Sequence, residues 1–556
     1  MKTYKIILNN IKAKPIIFLL IIIAGLLEFF GLSLLYPLIS LIFELPMPEI
    51  RLLNILEKSL ASFNLDNKFT LLLIICLLII LKAVFLLIYR YACTINVINF
   101  QIYLQKKIFN TFFFTKYSFS ANKKSPLINA ISEQATLAQS AMQIQFNILE
   151  NIIILFFLVT LSYFVSIKVL LVTFILSLII IFLFKFTISL SRKFSLNLIK
   201  ANELFYKLIN KSLSNFKYIK VTNTNKKFFN EYKPIINDIK INTLKFTLLN
   251  RGSKIMIEPI VLILVSLIFF ISLKFLSIPT TTILVMYIII ARIFQKLLAI
   301  ITLFQQYAKD SASVKYCYQL LDEIKFNVEQ SGNSEFKIFN SLVLKNISFA
   351  YNNNKIIHNL SLSLPKNKIT TIYGKSGIGK TTLSNLILGL LKPDSGEILL
   401  NNENIFNYKL DKYRNKVGYV SQDSSIFNSS LKDNLTLRNI KIKEHEIINY
   451  LKKFDLSDFI TSKNKIKDIM IDQNTSNLSN GQKQRISIIR ELISKPEILI
   501  LDEITSSVDK DNLNKILKIL KSFKKQTTIF IITHQREYKK ISDFNFTLIN
   551  KKLKRI

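Results

Sequence analysis

A six-span α-helical membrane domain followed by a cytosolic α/β domain of the phosphate-loop kind is the fold class this sequence predicts. Three observations carry the prediction. Apolar runs long enough to cross hydrocarbon recur six times before about Ala308. From about Phe336 the pattern changes to short apolar strands alternating with helices. The stretch YGKSGIGKTT, Tyr373 to Thr382, holds three glycines of a chain that has only 11. A chain of 556 residues is also too long for one ordinary core. The division expected is a transmembrane domain over 1–310, a linker over 311–335 and a second domain over 336–556.

The six spans are expected near 15–43, 69–92, 146–166, 169–190, 255–275 and 280–303. Each supplies the roughly 20 apolar residues that a helix needs to cross hydrocarbon. The first run, Pro15–Phe43, is too long for a signal-peptide core and lacks a small-residue cleavage site, so it reads as a retained span. Before it, Tyr4, Ile7, Leu8 and Ile11 recur at helical spacing between lysines, as in a helix lying on the cytoplasmic leaflet.

Charge gives the orientation. The net charge is +38, from 74 basic and 36 acidic residues, which by itself fits a nucleic-acid binder as well as a membrane protein. Its placement favours the membrane. The segment Arg192–Lys245 is crowded with lysines, whereas the loop Glu44–Lys68 is nearly balanced. That bias places the lysine-rich loops in the cytoplasm, and an even number of spans puts the polar half there too. No nucleic-acid partner is expected. Cys76, Cys93 and Cys317 have no metal or disulfide spacing and read as buried small hydrophobes.

Ionisable residues inside spans are costly and point to function. They are Glu28, Lys82, Glu150, Lys185, Glu258, Arg292 and Lys296. Arg292 and Lys296 are four apart and share a helix face. Lys185 fits a side chain that snorkels to the interface. Two arrangements suit the rest. The acids can pair with the bases and fix helix packing, or the spans can enclose a cavity with surplus positive charge, fit for an anionic headgroup. The apolar face of Leu52, Leu53, Ile55, Leu56 and Leu60 likewise suits a helix lying in the outer leaflet or one packed on the first two spans.

In the second domain, Lys368–Gly374 reads as a β-branched strand and Lys380–Leu391 as a helix. Between them, Gly374, four residues, Gly379, Lys380 and Thr381 satisfy every fixed position of a phosphate-binding loop. Glycines let the backbone curl into a nest of N–H groups at a helix N-terminus, where phosphate binds. Lys380 reaches the β- and γ-phosphates and Thr381 ligates Mg2+. The ATP contacts expected are Gly374, Lys375, Ser376, Gly377, Ile378, Gly379, Lys380, Thr381 and Thr382. The strand ILILDE, Ile498–Glu503, supplies Asp502 for the metal and Glu503 to polarise the attacking water. These features make the second domain an ATPase.

The sequence NLSNGQKQR, Asn477–Arg485, resembles the signature of ABC transporters. The resemblance extends in order along the domain. It implies that Tyr351 stacks on adenine, that Gln422 senses Mg2+ and water, that Asp509 follows the catalytic Glu503, and that His534 is the switch histidine near the γ-phosphate. His358 and His445 are expected at the surface. It also implies two domains sandwiching two ATP molecules, with Ser479, Gly481 and Gln482 of one copy facing the phosphate loop of another. A second copy of the chain is therefore an expected partner. Asn480 stands where a glycine is usual, and Asp472–Asn477 lacks the usual glycines and acid.

Six spans fused ahead of the ATPase resemble the type IV exporter fold. Ser125–Gln134 and Asn210–Val221 look like its coupling helices. With no N-terminal peptidase domain, a leader-cleaving peptide exporter is disfavoured. Within that fold the chain looks most like bacterial lipid-linked-oligosaccharide flippases. Gly25–Phe43 has their look, and Lys82, Lys254 and Arg292 fall where those flippases carry bases; with Lys296 they are the residues expected to line a substrate cavity. The resemblance implies a multi-pass protein of the bacterial cytoplasmic membrane. It would be driven by ATP and Mg2+ and would move a lipid-linked glycan or similar anionic lipid. An exporter of peptides, drugs or other lipids is the alternative, and an ATP-gated receptor or channel a more distant one.

Overall fold

The computed structural model describes residues 11, 14–43, 68–274, 280–335, 338–352, 354–375, 377–422, 425–439, 441–471, 478–504, 510–549 and 551–556. The predicted interfacial helix apart from Ile11, the outer-loop helix, Ser376, Asp509 and the segment Asp472–Asn477 lie outside the described residues. The chain divides into two compact units, residues 1–115 with 119–327 and residues 116–118 with 328–556.

The first unit is helical. Its elements are α1 (Lys14–Ser33), α2 (Leu35–Phe43), α3 (Lys68–Phe112), α4 (Lys124–Asn129), α5 (Ala135–Val165), α6 (Ile167–Ser214), α7 (Asn225–Lys274) and α8 (Thr280–Phe326). Each apolar run falls on one of these, the first being shared by α1 and α2. Among the described residues, α1 with α2, α3, α4 with α5, and α8 are long and apolar enough to cross a membrane. Helices α3, α6, α7 and α8 have 45, 48, 50 and 47 residues. At helical rise that is about 70 Å, against about 30 Å of hydrocarbon. The excess continues each span far into water.

Local chemistry sets the breaks. Between α1 and α2 the Ser33 hydroxyl donates to Phe30 O at 2.8 Å, and Pro37, with no N–H to give, sits in the first turn of α2. Ser166 is extended (φ −161°, ψ 107°) and separates α5 from α6. The first expected coupling segment is α4 running into a π-helical turn, Ala130–Gln134. The second is the end of α6 and a short helix, Phe216–Thr222, closed by left-handed Asn223.

Among the described residues three apolar clusters hold the unit together, the smallest joining Leu34, Leu38, Leu71 and Ile75 and two larger ones filling the rest. In one, Ala130, Ala135, Ala138 and Ala141 are fully buried in a cluster with Val314, Cys317 and Leu321, where small side chains allow close helix approach. In the other, Phe29, Ile154, Leu158, Met286, Ile290 and Phe294 join α1, α5 and α8. By contrast, Leu72, Leu73, Leu77, Ile79 and Ile80 of α3 are exposed, as lipid-facing side chains are. Cys76 lies among them and is exposed, which corrects its reading as a buried residue; only Cys93 and Cys317 are buried. Hydrocarbon solvates a thiol on a span, so an apolar run does not imply an interior position.

The second unit is α/β. A six-stranded sheet has the order β12 (Lys552–Arg555), β11 (Phe544–Ile549), β3 (Ile369–Tyr373), β10 (Thr528–Thr533), β9 (Ile498–Asp502), β6 (Val417–Val420). All neighbours are parallel except β12. Every residue of β3, β9 and β10 is buried, which is why these strands read as continuous apolar runs and not as alternating ones. An antiparallel sheet follows the order β2 (Asn354–Pro365), β1 (Ser341–Tyr351), β4 (Ser395–Leu400), β5 (Glu403–Asn404). A small pair, β7 (Ser429–Ser430) with β8 (Met470–Ile471), completes the strands. The helices that matter below are α9 (Lys380–Ile387), α10 (Leu431–Thr436) and α11 (Asn480–Ile493).

Candidate functional site

Parallel register brings four strand ends to one edge. Tyr373 is level with Thr533, Ile532 with Asp502, and Val420 with Leu501. The next residues along the chain are therefore Gly374, His534, Glu503 and the approach to Gln422, side by side at the carboxyl ends where open α/β sheets bind ligands. No single motif contains this site; the register assembles it.

The phosphate loop follows β3 and opens α9. Gly377 (φ 79°) and Gly379 (φ 105°) have backbone conformations that side-chain-bearing residues avoid. A Cβ on Gly379 would also fall 2.6 Å from Ile356 Cγ2, so that glycine is needed twice over. Lys380 and Thr382 are buried, and Thr381 is exposed at the first turn. Lys375, Gly374 and Ile378 lie along the same loop.

The two carboxylates differ. Asp502 is 3 % exposed and has the hydroxyls of Thr381 and Tyr419 beside it. Burial pushes its carboxyl above the ordinary range and Glu503 beside it adds to this, while Thr381 and Lys380 oppose it. A buried acid held against its own ionisation, with a hydroxyl at its side, is a site that a divalent cation completes. Mg2+ therefore fits Asp502 and Thr381. Glu503 has a left-handed backbone (φ 51°), held by its N–H donating to Ile532 O at 2.9 Å. Its carboxylate lies 2.8 Å from Lys380 Nζ.

Gln422 and His534 are exposed at this edge, and His358 and His445 are exposed elsewhere. Tyr351 ends β1, is 43 % exposed, and meets Phe349 edge-on at 4.9 Å between ring centres. The free ring face suits a stacked base.

Ser479 caps α11. Its hydroxyl accepts from Gln482 N–H at 3.2 Å, and the Gln482 side chain accepts from Ser479 N–H at 2.9 Å. These residues bond to one another and not to the phosphate loop. Asn480 takes the first helical position with no positive φ, so the glycine usual there is not required by the backbone. A Cβ on Gly481 would find only ordinary contact, 3.9 Å from Ser479 Oγ. The far end of α11 is fastened to the segment beyond Gln422. Arg490 donates to Ser425 O and Asn434 O, each at 2.6 Å, and Asn434 of α10 donates to Phe427 O at 2.8 Å.

Among the intramembrane charges, Lys82 Nζ lies 3.1 Å from Glu28 Oε2 and Arg90 Nη2 lies 3.1 Å from Glu150 Oε1. The two pairs tie α1 to α3 and α3 to α5, and α8, which carries Arg292 and Lys296, packs against α3 and α5. Glu28 and Glu150 do pair with bases, as one of the two arrangements supposed, and among the described side chains Arg292 and Lys296 of α8 are bases beyond these pairs. Arg90 was missed from the sequence. It is eight residues after Lys82, two helical turns along the same face, which is the signal that could have found it. The side chains of Lys185, Lys254 and Glu258 lie outside the described residues.

Comparison with known proteins agrees with this architecture. The family profile described as ABC transporter transmembrane region matches residues 15–298, just over half of the chain, and the ABC transporter profile matches residues 357–506. An ATP-dependent lipid A-core flippase of Haemophilus influenzae is 34% identical over 197 residues, 35% of this chain and 34% of that protein. An uncharacterized ABC transporter ATP-binding protein of the same species is 32% identical over 220 residues, 39% of each. The chain thus matches little more than a third of the length of these curated relatives. A bacterial Atm1-family ABC exporter solved with ATP bound shares the fold, with a TM-score of 0.79 and 18% identity over 96% of this chain and 93% of that one. The chain belongs to the ABC transporter family, with the transmembrane region and the ATP-binding domain on one polypeptide in the exporter fold.

Proposed function

We propose that the chain is an ATP-driven exporter or flippase. It works as a pair of identical copies in the bacterial cytoplasmic membrane and moves a lipid-linked oligosaccharide or a similar anionic lipid. The observation that carries the substrate class is the excess of bases over acids among the described side chains of the spans. Among the described side chains of the spans, Lys82, Arg90, Arg292 and Lys296 stand against Glu28 and Glu150. A phosphate-bearing headgroup carries charge that hydrocarbon refuses, and such an excess compensates it while the tail stays in lipid. The flippase among the relatives is in keeping with a lipid cargo.

In the cytosolic unit, Tyr351 stacks on the adenine and the loop from Gly374 to Thr382 wraps the phosphates. Mg2+ held by Asp502 and Thr381, with Gln422 nearby, would neutralise charge on the β- and γ-phosphates. Glu503 accepts a proton from the attacking water, and His534 lies by the γ-phosphate end. Ser479, Gly481 and Gln482 of the second copy close the site. That role explains why Gly481 is a glycine although nothing in its own chain crowds it. Asp509, Ser376 and Lys254 keep the roles that the family resemblance implies.

The test is ATP hydrolysis in vesicles with and without an added polyprenyl pyrophosphate. Arg292→Gln combined with Lys296→Gln should remove the stimulation by that lipid while nucleotide binding persists. Stimulation equal to that of the wild type would reject the anionic cargo. The second reading, export of peptides, drugs or other lipids, draws on the pairing of Lys82 with Glu28 and of Arg90 with Glu150, which among the described side chains leaves Arg292 and Lys296 in surplus.

A further inference from the structure

The ammonium of Lys380 has three N–H bonds to give, and all three are used within the chain. They go to Gly374 O at 2.8 Å, Lys375 O at 3.0 Å and Glu503 Oε1 at 2.8 Å. The pair is secluded, the side chains of Lys380 and Glu503 being 5% and 13% exposed. Two of the acceptors are backbone atoms of the phosphate loop itself. The third comes from another strand end, carried on a left-handed backbone that the Ile532 carbonyl pins.

We propose that Glu503 serves as a counter-ion latch on the phosphate loop: without nucleotide its carboxylate takes the place at Lys380 that a terminal phosphate would take. The carboxylate and a phosphate oxygen are both anions seeking one ammonium, and in a secluded site like charges do not share it. Nucleotide must therefore expel Glu503 from Lys380. Expulsion frees the same carboxylate to accept a proton from water, so one displacement both seats the ligand and arms the base. A chain without nucleotide keeps its base engaged. The recognising chemistry is that of the β- and γ-phosphates of a nucleoside di- or triphosphate, and the inference rests on the ATP-site reading above.

A latch of this kind lowers nucleotide affinity, so removing it should tighten binding, which loss of a catalytic group or misfolding would not do. The measurement is ADP affinity of the full chain in lipid nanodiscs; ADP offers no γ-phosphate to hydrolyse, so turnover cannot enter. Glu503→Gln keeps the shape and loses the charge, and its Kd for ADP should fall about tenfold, which is about 1.4 kcal/mol. Glu503→Ala should tighten binding in the same direction, which guards against an accident of the amide. Unchanged or weaker ADP binding in both variants overturns the latch, while saturable wild-type binding that Lys380→Ala abolishes leaves the ATP site intact. Absence of saturable ADP binding by the wild type overturns both.

Discussion

Glu503→Gln should lower the ATP turnover number of the full chain in lipid by about a thousandfold, the scale that a positioned general base supplies. The glutamine is nearly isosteric, so the backbone held by Ile532 O and the neighbouring Asp502 stay in place. What would disappear is the proposed acceptor for the proton of the attacking water. The effect belongs in the turnover number and not in binding, which the latch predicts to improve. Steady-state hydrolysis together with the ADP titration separates the two. Full turnover in the variant would remove Glu503 from the mechanism.

Lys380→Ala should act in the opposite sense on binding, raising the Kd for ATP by about a hundredfold or more. Truncating one member of a secluded charge pair or charge-assisted contact costs roughly 2–5 kcal/mol. Two consequences follow from the geometry. The incoming phosphates lose their ammonium, and Glu503, 13% exposed, loses its counter-ion. The second predicts a lower melting temperature without nucleotide, which Glu503→Gln in the same background should partly restore, because the stranded charge is then gone. An ATP titration and a thermal melt check the pair of outcomes. Wild-type affinity in Lys380→Ala would contradict the phosphate-loop assignment.

Much of the fold was legible because each signal is local. A span announces itself by length and apolarity, and the helix carrying 69–92 holds that run and more. Strands β3 and β9 were legible because they are buried on both faces and so carry unbroken apolar sequence. The phosphate loop was legible because its glycines answer to backbone conformation, as Gly377 and Gly379 do.

What escaped the sequence depends on which elements become neighbours. That Arg90 would meet Glu150, and Lys82 meet Glu28, follows from the packing of α1, α3 and α5, and span order alone does not give it. The ion pair of Lys380 with Glu503 needs the register of β3, β10 and β9. The tie of Arg490 to Asn434 and Ser425 closes through a buried polar network with no periodicity to betray it. Cys76 was misplaced for a different reason: on a membrane span, lipid and protein interior look alike in sequence.

The proposed mechanism requires two copies that jointly enclose each ATP. The direct measurement is hydrolysis by nanodiscs sorted by mass into those holding one chain and those holding two. Two-chain discs should hydrolyse ATP and single-chain discs should bind it with little turnover. Equal turnover per chain in the single-chain discs would contradict the shared site.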